Sequence, residues 1–139
     1  MQGGDKPRRG QVDRSQVKHI LKHELHTADR LADLGENVTF VPTSDSPRPD
    51  AVLSDGRSWE FKSPAGSNRN TILTKIRDAA DRGKENFVLD MSRSAMPLDQ
   101  VRDLARYAVD NYPGVQNIRL IGRETADGLL DNMVTKGGE

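Results

Sequence analysis

The stretch from Pro49 to Pro64 (Pro-Asp-Ala-Val-Leu-Ser-Asp-Gly-Arg-Ser-Trp-Glu-Phe-Lys-Ser-Pro) limits what this chain can fold into more than any other part of it. Asp55-Gly56 is a dipeptide that tight hairpin turns favour, because it tolerates φ > 0. Two short β-strands are predicted on either side of it, Ala51–Ser54 and Ser58–Lys62. Side chains two apart in a strand share a face, so Glu60 and Lys62 project together, Trp59 and Phe61 take the opposite, packed face, and Asp50 enters the first strand. Two carboxylates and an ammonium gathered on one hairpin are costly for structure and useful for chemistry. Hard oxygen ligands at this spacing suit Mg²⁺ or Mn²⁺, and a lysine beside them can orient a water or meet the charge of a phosphate. The plain structural alternative is an exposed hairpin edge carrying an ordinary Glu/Lys pair.

At 139 residues the chain fits one domain with a modest core, and 34% hydrophobic against 30% charged residues suggests a folded centre with loose ends. Cysteine is absent, which excludes disulfides and zinc–thiolate sites. No apolar run in Met1–Gly10 reads as a secretory signal, and no segment is long and apolar enough for a membrane span. The formal net charge is zero, which argues against a protein that coats nucleic acid. Its distribution is uneven: residues 24–56 carry seven acids against two bases, whereas residues 1–23 and 57–84 each have a net charge of +4. An acidic pocket flanked by basic segments suits a metal-bound phosphate chemistry, and also an ordinary solvated surface.

Helical periodicity runs from about Asp13 to Leu34, with Asp13 and Gln16 at capping-box spacing and Gly35 placed as a left-handed stop. Val17, Ile20, Leu21, Ala28, Leu31 and Ala32 form its apolar stripe, and Glu24 falls about 20° from Val17 within that stripe. A carboxylate there must be protonated, paired or metal-bound. His19, His23 and His26 lie at the stripe's edges and read as a solvated face. Further on, Asn37–Val41 reads as a strand, Pro42–Pro49 as a loop, and Thr71–Arg82 as a helix capped by Asn70 and closed by Gly83. Asn86–Asp90 and Gln116–Ile121 read as strands joined by a helix over Leu98–Asn111, a parallel crossover. A short helix is expected over Glu124–Met133. The expected organisation is a flexible arm or linker over 1–12, one domain over 13–134 and a frayed tail over 135–139.

Pro49-Asp50 followed by Glu60-Phe61-Lys62 resembles the motif of the PD-(D/E)XK nuclease superfamily, and the order of elements resembles its α/β core, a mixed sheet flanked by helices. Glu24 with Ala28, Leu31 and Gly35 behind it, the extended Val38–Val41, the strand end Trp59–Pro64, Thr71-Ile72 and Asn86–Asp90 are similar to the C-terminal tRNA-nuclease toxins of contact-dependent growth inhibition and related polymorphic toxins. That resemblance implies a metal-dependent endonuclease with Glu24, Asp50 and Glu60 as metal-site acids, the Phe61 carbonyl completing the shell, and Lys62 acting on the water or the scissile phosphate. The implied ion is Mg²⁺, with Mn²⁺ or Zn²⁺ as alternatives. Ser63, Ser67, Asn68, Arg69, Thr71 and Lys75, at the start of the next helix, are the expected substrate contacts. tRNA is the implied substrate, DNA its alternative, and a dedicated immunity protein the implied partner of a toxin that acts in a target cell's cytoplasm. The rival class is a non-catalytic module that binds nucleic acid or protein on a degenerate nuclease fold, such as a phage structural-protein tail domain.

Overall fold

The computed structural model describes residues 9–43 and 50–138. Pro49 and most of the loop expected from Pro42 onward lie outside the described residues, as does the arm up to residue 8. The fold is mixed α/β, as expected, and the chain forms two compact units that meet in sequence at Ser58/Trp59.

The first unit holds β1 (Val12–Asp13), α1 (Lys22–Asp33), β2 (Val38–Val41) and β3 (Asp50–Val52). β1 runs parallel to β2, and β2 antiparallel to β3 with Phe40 opposite Ala51 and Val41 opposite Asp50. Ala28, Leu31, Ala32, Val38 and Phe40 are buried, which is the stripe expected of a helix packed on alternating strand residues. The helix is shorter than its periodicity suggested. Asp13 does not cap it; its carboxylate accepts from Ser15 N (2.9 Å) and Ser15 Oγ (2.6 Å), a local turn that competes with helix. Val17 and Ile20 are accordingly only half-buried, and Leu21 precedes the first helical residue. Residues 9–13, expected within or beside a flexible arm, are tied down: Arg9 pairs with Asp29 and Asp33, and Gly10 N donates to Ala32 O at 2.8 Å. Gly56 has φ +80° and Asp55 accepts from Arg57 N, so the hairpin turn forms where Asp-Gly placed it.

The second unit begins within β4 (Ser58–Lys62) and continues through α2 (Arg69–Asp81), β5 (Asn86–Asp90), α3 (Leu98–Asn111), β6 (Asn117–Thr125) and β7 (Gly128–Thr135). β4, β5 and β6 are parallel neighbours and β7 is antiparallel to β6. Both parallel steps cross over through a helix, as their spacing requires. One core joins Ile72, Leu73 and Ile76 of α2 with Val101, Leu104, Ala105 and Ala108 of α3, over Phe87, Leu89, Ile118 and Leu120 of the sheet. α2 starts earlier than expected because Asn68, not Asn70, is its cap: Asn68 Oδ1 accepts from Thr71 N at 3.0 Å.

The expected helix over Glu124–Met133 is instead the β6–β7 hairpin. Asp127-Gly128 sits in its turn, with Gly128 at φ +113°, and Leu130 and Val134 alternate into the core at strand period. Nor is the tail frayed from Thr135: Lys136 N donates to Gln116 O at 2.8 Å, and its ammonium to Val109 O at 2.6 Å.

Candidate active site

The charged pair on β4 forms as the strand period requires. Lys62 Nζ lies 3.0 Å from Glu60 Oε2, and the two side chains are 18% and 19% exposed. Trp59, facing the other way, is buried, and Phe61 is half-buried in register with Val88. An ion pair this enclosed loses much of its hydration, and an apolar pair of similar volume would serve stability as well. Stability is therefore a weak reason for its presence.

The pair stands near the carboxyl end of β4, where open parallel sheets place their sites. Lys62 is level with Leu89, and the next residue of β5, Asp90, is wholly buried. Asp90 Oδ1 accepts from Ser92 N at 3.1 Å. Beyond it the chain turns under three clamps. Arg123 donates to the carbonyls of Met91 (2.9 Å) and Ser94, Arg93 Nη1 donates to Ser63 O at 3.1 Å, and Ser94 Oγ donates to Gly66 O at 2.8 Å. The loop that leaves the Glu60–Lys62 strand is thus held by the loop that leaves β5. Gly122 makes the packing possible, since a Cβ on it would lie 2.3 Å from Asp90 Oδ1 and 2.7 Å from Ser92 N.

Sequence reasoning took Asp90 only as a strand end and missed Arg93, Arg123 and Gly122. The available signal was the acid closing the apolar run Phe87-Val88-Leu89 on a parallel strand.

In the first unit, Glu24 is buried, only 8% exposed, as its place in the apolar stripe suggested. It is the third residue of α1, and its Oε1 accepts from Leu21 N at 3.3 Å, so its carboxylate caps the helix start. Asp50 is the half-buried first residue of β3. His19, His23 and His26 are exposed, the solvated reading.

Among the expected substrate contacts, Ser67, Thr71 and Lys75 are exposed and Ser63 is half-buried. Two are engaged elsewhere: Asn68 caps α2, and Arg69 is turned to α3, its guanidinium 4.7 Å from the Tyr107 ring centroid and 3.9 Å from Asp103.

Among the described residues, no three histidine or acidic side chains converge into a ready-made metal cage. Zinc, which takes three or four protein ligands rich in nitrogen and sulfur, fits this donor set poorly. Mg²⁺ fits it better, because it keeps several waters and needs one or two carboxylates plus phosphate oxygens.

This mixed α/β fold also has a solved counterpart. The CdiA-CT/CdiI toxin and immunity complex from Burkholderia pseudomallei contains a chain similar to this one, with a TM-score of 0.68 at 17% identity over 91% of this chain and 99% of that chain. At that identity the likeness is one of fold. Residues 47–126, more than half of the sequence, match the model of the contact-dependent growth inhibition CdiA C-terminal domain, and the chain belongs to that family. The matched segment contains Asp50, Glu60, Lys62 and Asp90, and Glu24 precedes it. No curated protein matches the sequence.

Proposed function

We propose that this domain is the toxin effector of a contact-dependent growth inhibition system, a metal-dependent endonuclease of the PD-(D/E)XK type that hydrolyses phosphodiester bonds of RNA, tRNA before DNA. The observation that carries the reading is the enclosed Glu60–Lys62 pair, 3.0 Å apart at the end of β4. Family membership supports the effector role, and the Asp50…Glu60-Phe61-Lys62 spacing supports the chemistry.

Glu60 and the Phe61 carbonyl are the groups of the second unit that would hold Mg²⁺, and the motif resemblance assigns Asp50 and Glu24 the role of metal-site acids. The ion, when bound, would stabilise negative charge accumulating on the phosphate. Glu60 fixes the Lys62 ammonium by their contact. Lys62 then orients the attacking water and neutralises charge on a non-bridging oxygen, and its low exposure strengthens that interaction by excluding solvent. Ser63, Thr71, Ser67 and Lys75 offer hydroxyls and a cation to the neighbouring phosphates.

The likeness to a chain solved with its immunity protein supports a cognate immunity protein as partner, and an effector of this kind would act in the cytoplasm of the target cell. No helix among the described residues is long and apolar enough to cross a membrane.

The test is incubation with total tRNA and with plasmid DNA, each with Mg²⁺ or EDTA. EDTA-sensitive loss of tRNA supports the reading; cleavage of neither polymer with Mg²⁺, Mn²⁺ or Zn²⁺ overturns it.

A further inference from the structure

A second feature lies within the second unit, between the start of α2 and the first turns of α3. A cavity of about 350 Å³ is lined by Arg69, Met96, Asp99, Gln100 and Asp103. Resting on the nuclease reading, we propose that it is a subsite for one unpaired base of the substrate, selective for bases that present amino groups and above all for guanine.

Three observations carry this. The Arg69 guanidinium lies 4.7 Å from the centroid of the Tyr107 ring, and Tyr112 meets that ring edge-to-face with centroids 5.9 Å apart. Arg69 also lines the cavity, so a base entering there would extend an existing Tyr–Arg stack, the mode by which proteins hold unstacked bases.

Charge is the second. The lining carries one guanidinium and two carboxylates, and only Asp103 lies within reach of Arg69, at 3.9 Å. The excess of acid disfavours phosphate, and the Asp99 carboxylate offers acceptors to a base edge. A carboxylate takes two adjacent N–H donors from the guanine N1/N2 edge and one amino group from cytosine or adenine, whereas the single N3–H of uracil is flanked by two carbonyl oxygens that repel it. Gln100 supplies an amide that serves either polarity.

The third is connection to the candidate active site. The buried Met96 accounts for the cavity's apolar side, and its N–H donates to Ser94 Oγ at 3.2 Å, while the same hydroxyl donates to Gly66 O at 2.8 Å. The cavity is thereby fastened to the loop that follows Lys62. This arrangement also explains why Arg69 is turned from the phosphate role that its position suggested.

The probes are fluorescent five-nucleotide uridine RNAs with a central guanosine, cytidine, adenosine or uridine, titrated in EDTA so that binding is read without cleavage. Guanosine should bind at least ~10-fold more tightly than uridine, with cytidine and adenosine between them. Arg69→Lys keeps the charge and removes the flat stacking face, and should abolish the preference while leaving the salt dependence of binding unchanged. Tyr107→Ala should do the same, and Asp99→Asn should narrow the guanosine–uridine gap. Equal binding of all four RNAs, or an undiminished preference in Arg69→Lys, overturns the proposal. Selective binding by a protein that cleaves nothing would fail the nuclease reading and keep the subsite; cleavage without base selectivity would do the reverse.

Discussion

Replacing Gly122 by alanine tests the packing behind the β4 and β5 strand ends. The new methyl group would stand 2.3 Å from Asp90 Oδ1, 2.7 Å from Ser92 N and 2.9 Å from Met91 N, and two of those three atoms are backbone that cannot swing aside. Asp90 is 0% exposed, so rotating its carboxylate away sacrifices the 3.1 Å bond from Ser92 N in a dry environment. Such a bond to a charged group contributes about 1.5–3 kcal/mol. Gly122 also has φ +101°, and a side chain in left-handed backbone adds about 1–2 kcal/mol. The expected destabilisation is roughly 3–5 kcal/mol, a large share of the ~5–15 kcal/mol that holds a domain together.

Gly83 isolates the contact part of that figure. Its φ is +94°, close to that of Gly122, yet a Cβ on it would have no neighbour within 4 Å. Gly83→Ala should therefore lose only the conformational part, about 1–2 kcal/mol. Urea unfolding followed by circular dichroism, with calorimetry, measures both, and Tm should fall by roughly 10–15 °C for Gly122→Ala and by about a quarter to a half of that for Gly83→Ala. Equal losses in the two variants would refute the claim that the Asp90 carboxylate and the Ser92 backbone fill the space beside Gly122.

Other outcomes follow from the same geometry. Glu24→Gln keeps an acceptor for Leu21 N and removes the charge, so stability should change by less than ~1 kcal/mol; calorimetric titration with Mn²⁺ should show weaker binding if Glu24 is a metal-site acid, and unchanged affinity would return it to a purely capping role. Burial, and then the neighbouring Tyr107, raise the Tyr112 phenol above its ordinary value near 10.0, with Arg77 and Arg69 opposing the shift. Its folded form therefore holds the proton longer than the unfolded chain, and the stability it contributes is complete below pH ~10 and lost as pH rises through the higher folded value. Tm measured from pH 9 to 11 should decline less steeply in Tyr112→Phe than in the parent, and parallel declines would contradict this.

Where periodicity and turn chemistry agree, the sequence was enough. α3 occupies Leu98–Asn111 because five apolar residues recur at helical spacing, and β4 occupies Ser58–Lys62 because Asp55-Gly56 turns the chain just before it. The strand period alone brought Glu60 to Lys62. The start of α1 was not legible, because the choice between a helical cap and a local turn at Asp13 depends on what Ser15 donates to it. β7 was missed because Leu129-Leu130 and Met133-Val134 suit either period, and only pairing with β6 decides between them. The support around Asp90 is tertiary in origin: Arg93 reaches thirty residues back to Ser63, and Gly122 shows its purpose only once Asp90 lies against it.

The central claim is that the Glu60–Lys62 pair is catalytic machinery. It is tested most directly by the single-turnover rate of tRNA cleavage in Mg²⁺ for Lys62→Ala against the parent protein, with circular dichroism confirming that both are folded. Loss of a principal charge-stabilising group predicts a fall of at least ~10²-fold with the fold retained. A folded Lys62→Ala protein that cleaves tRNA at the parental rate would contradict the account.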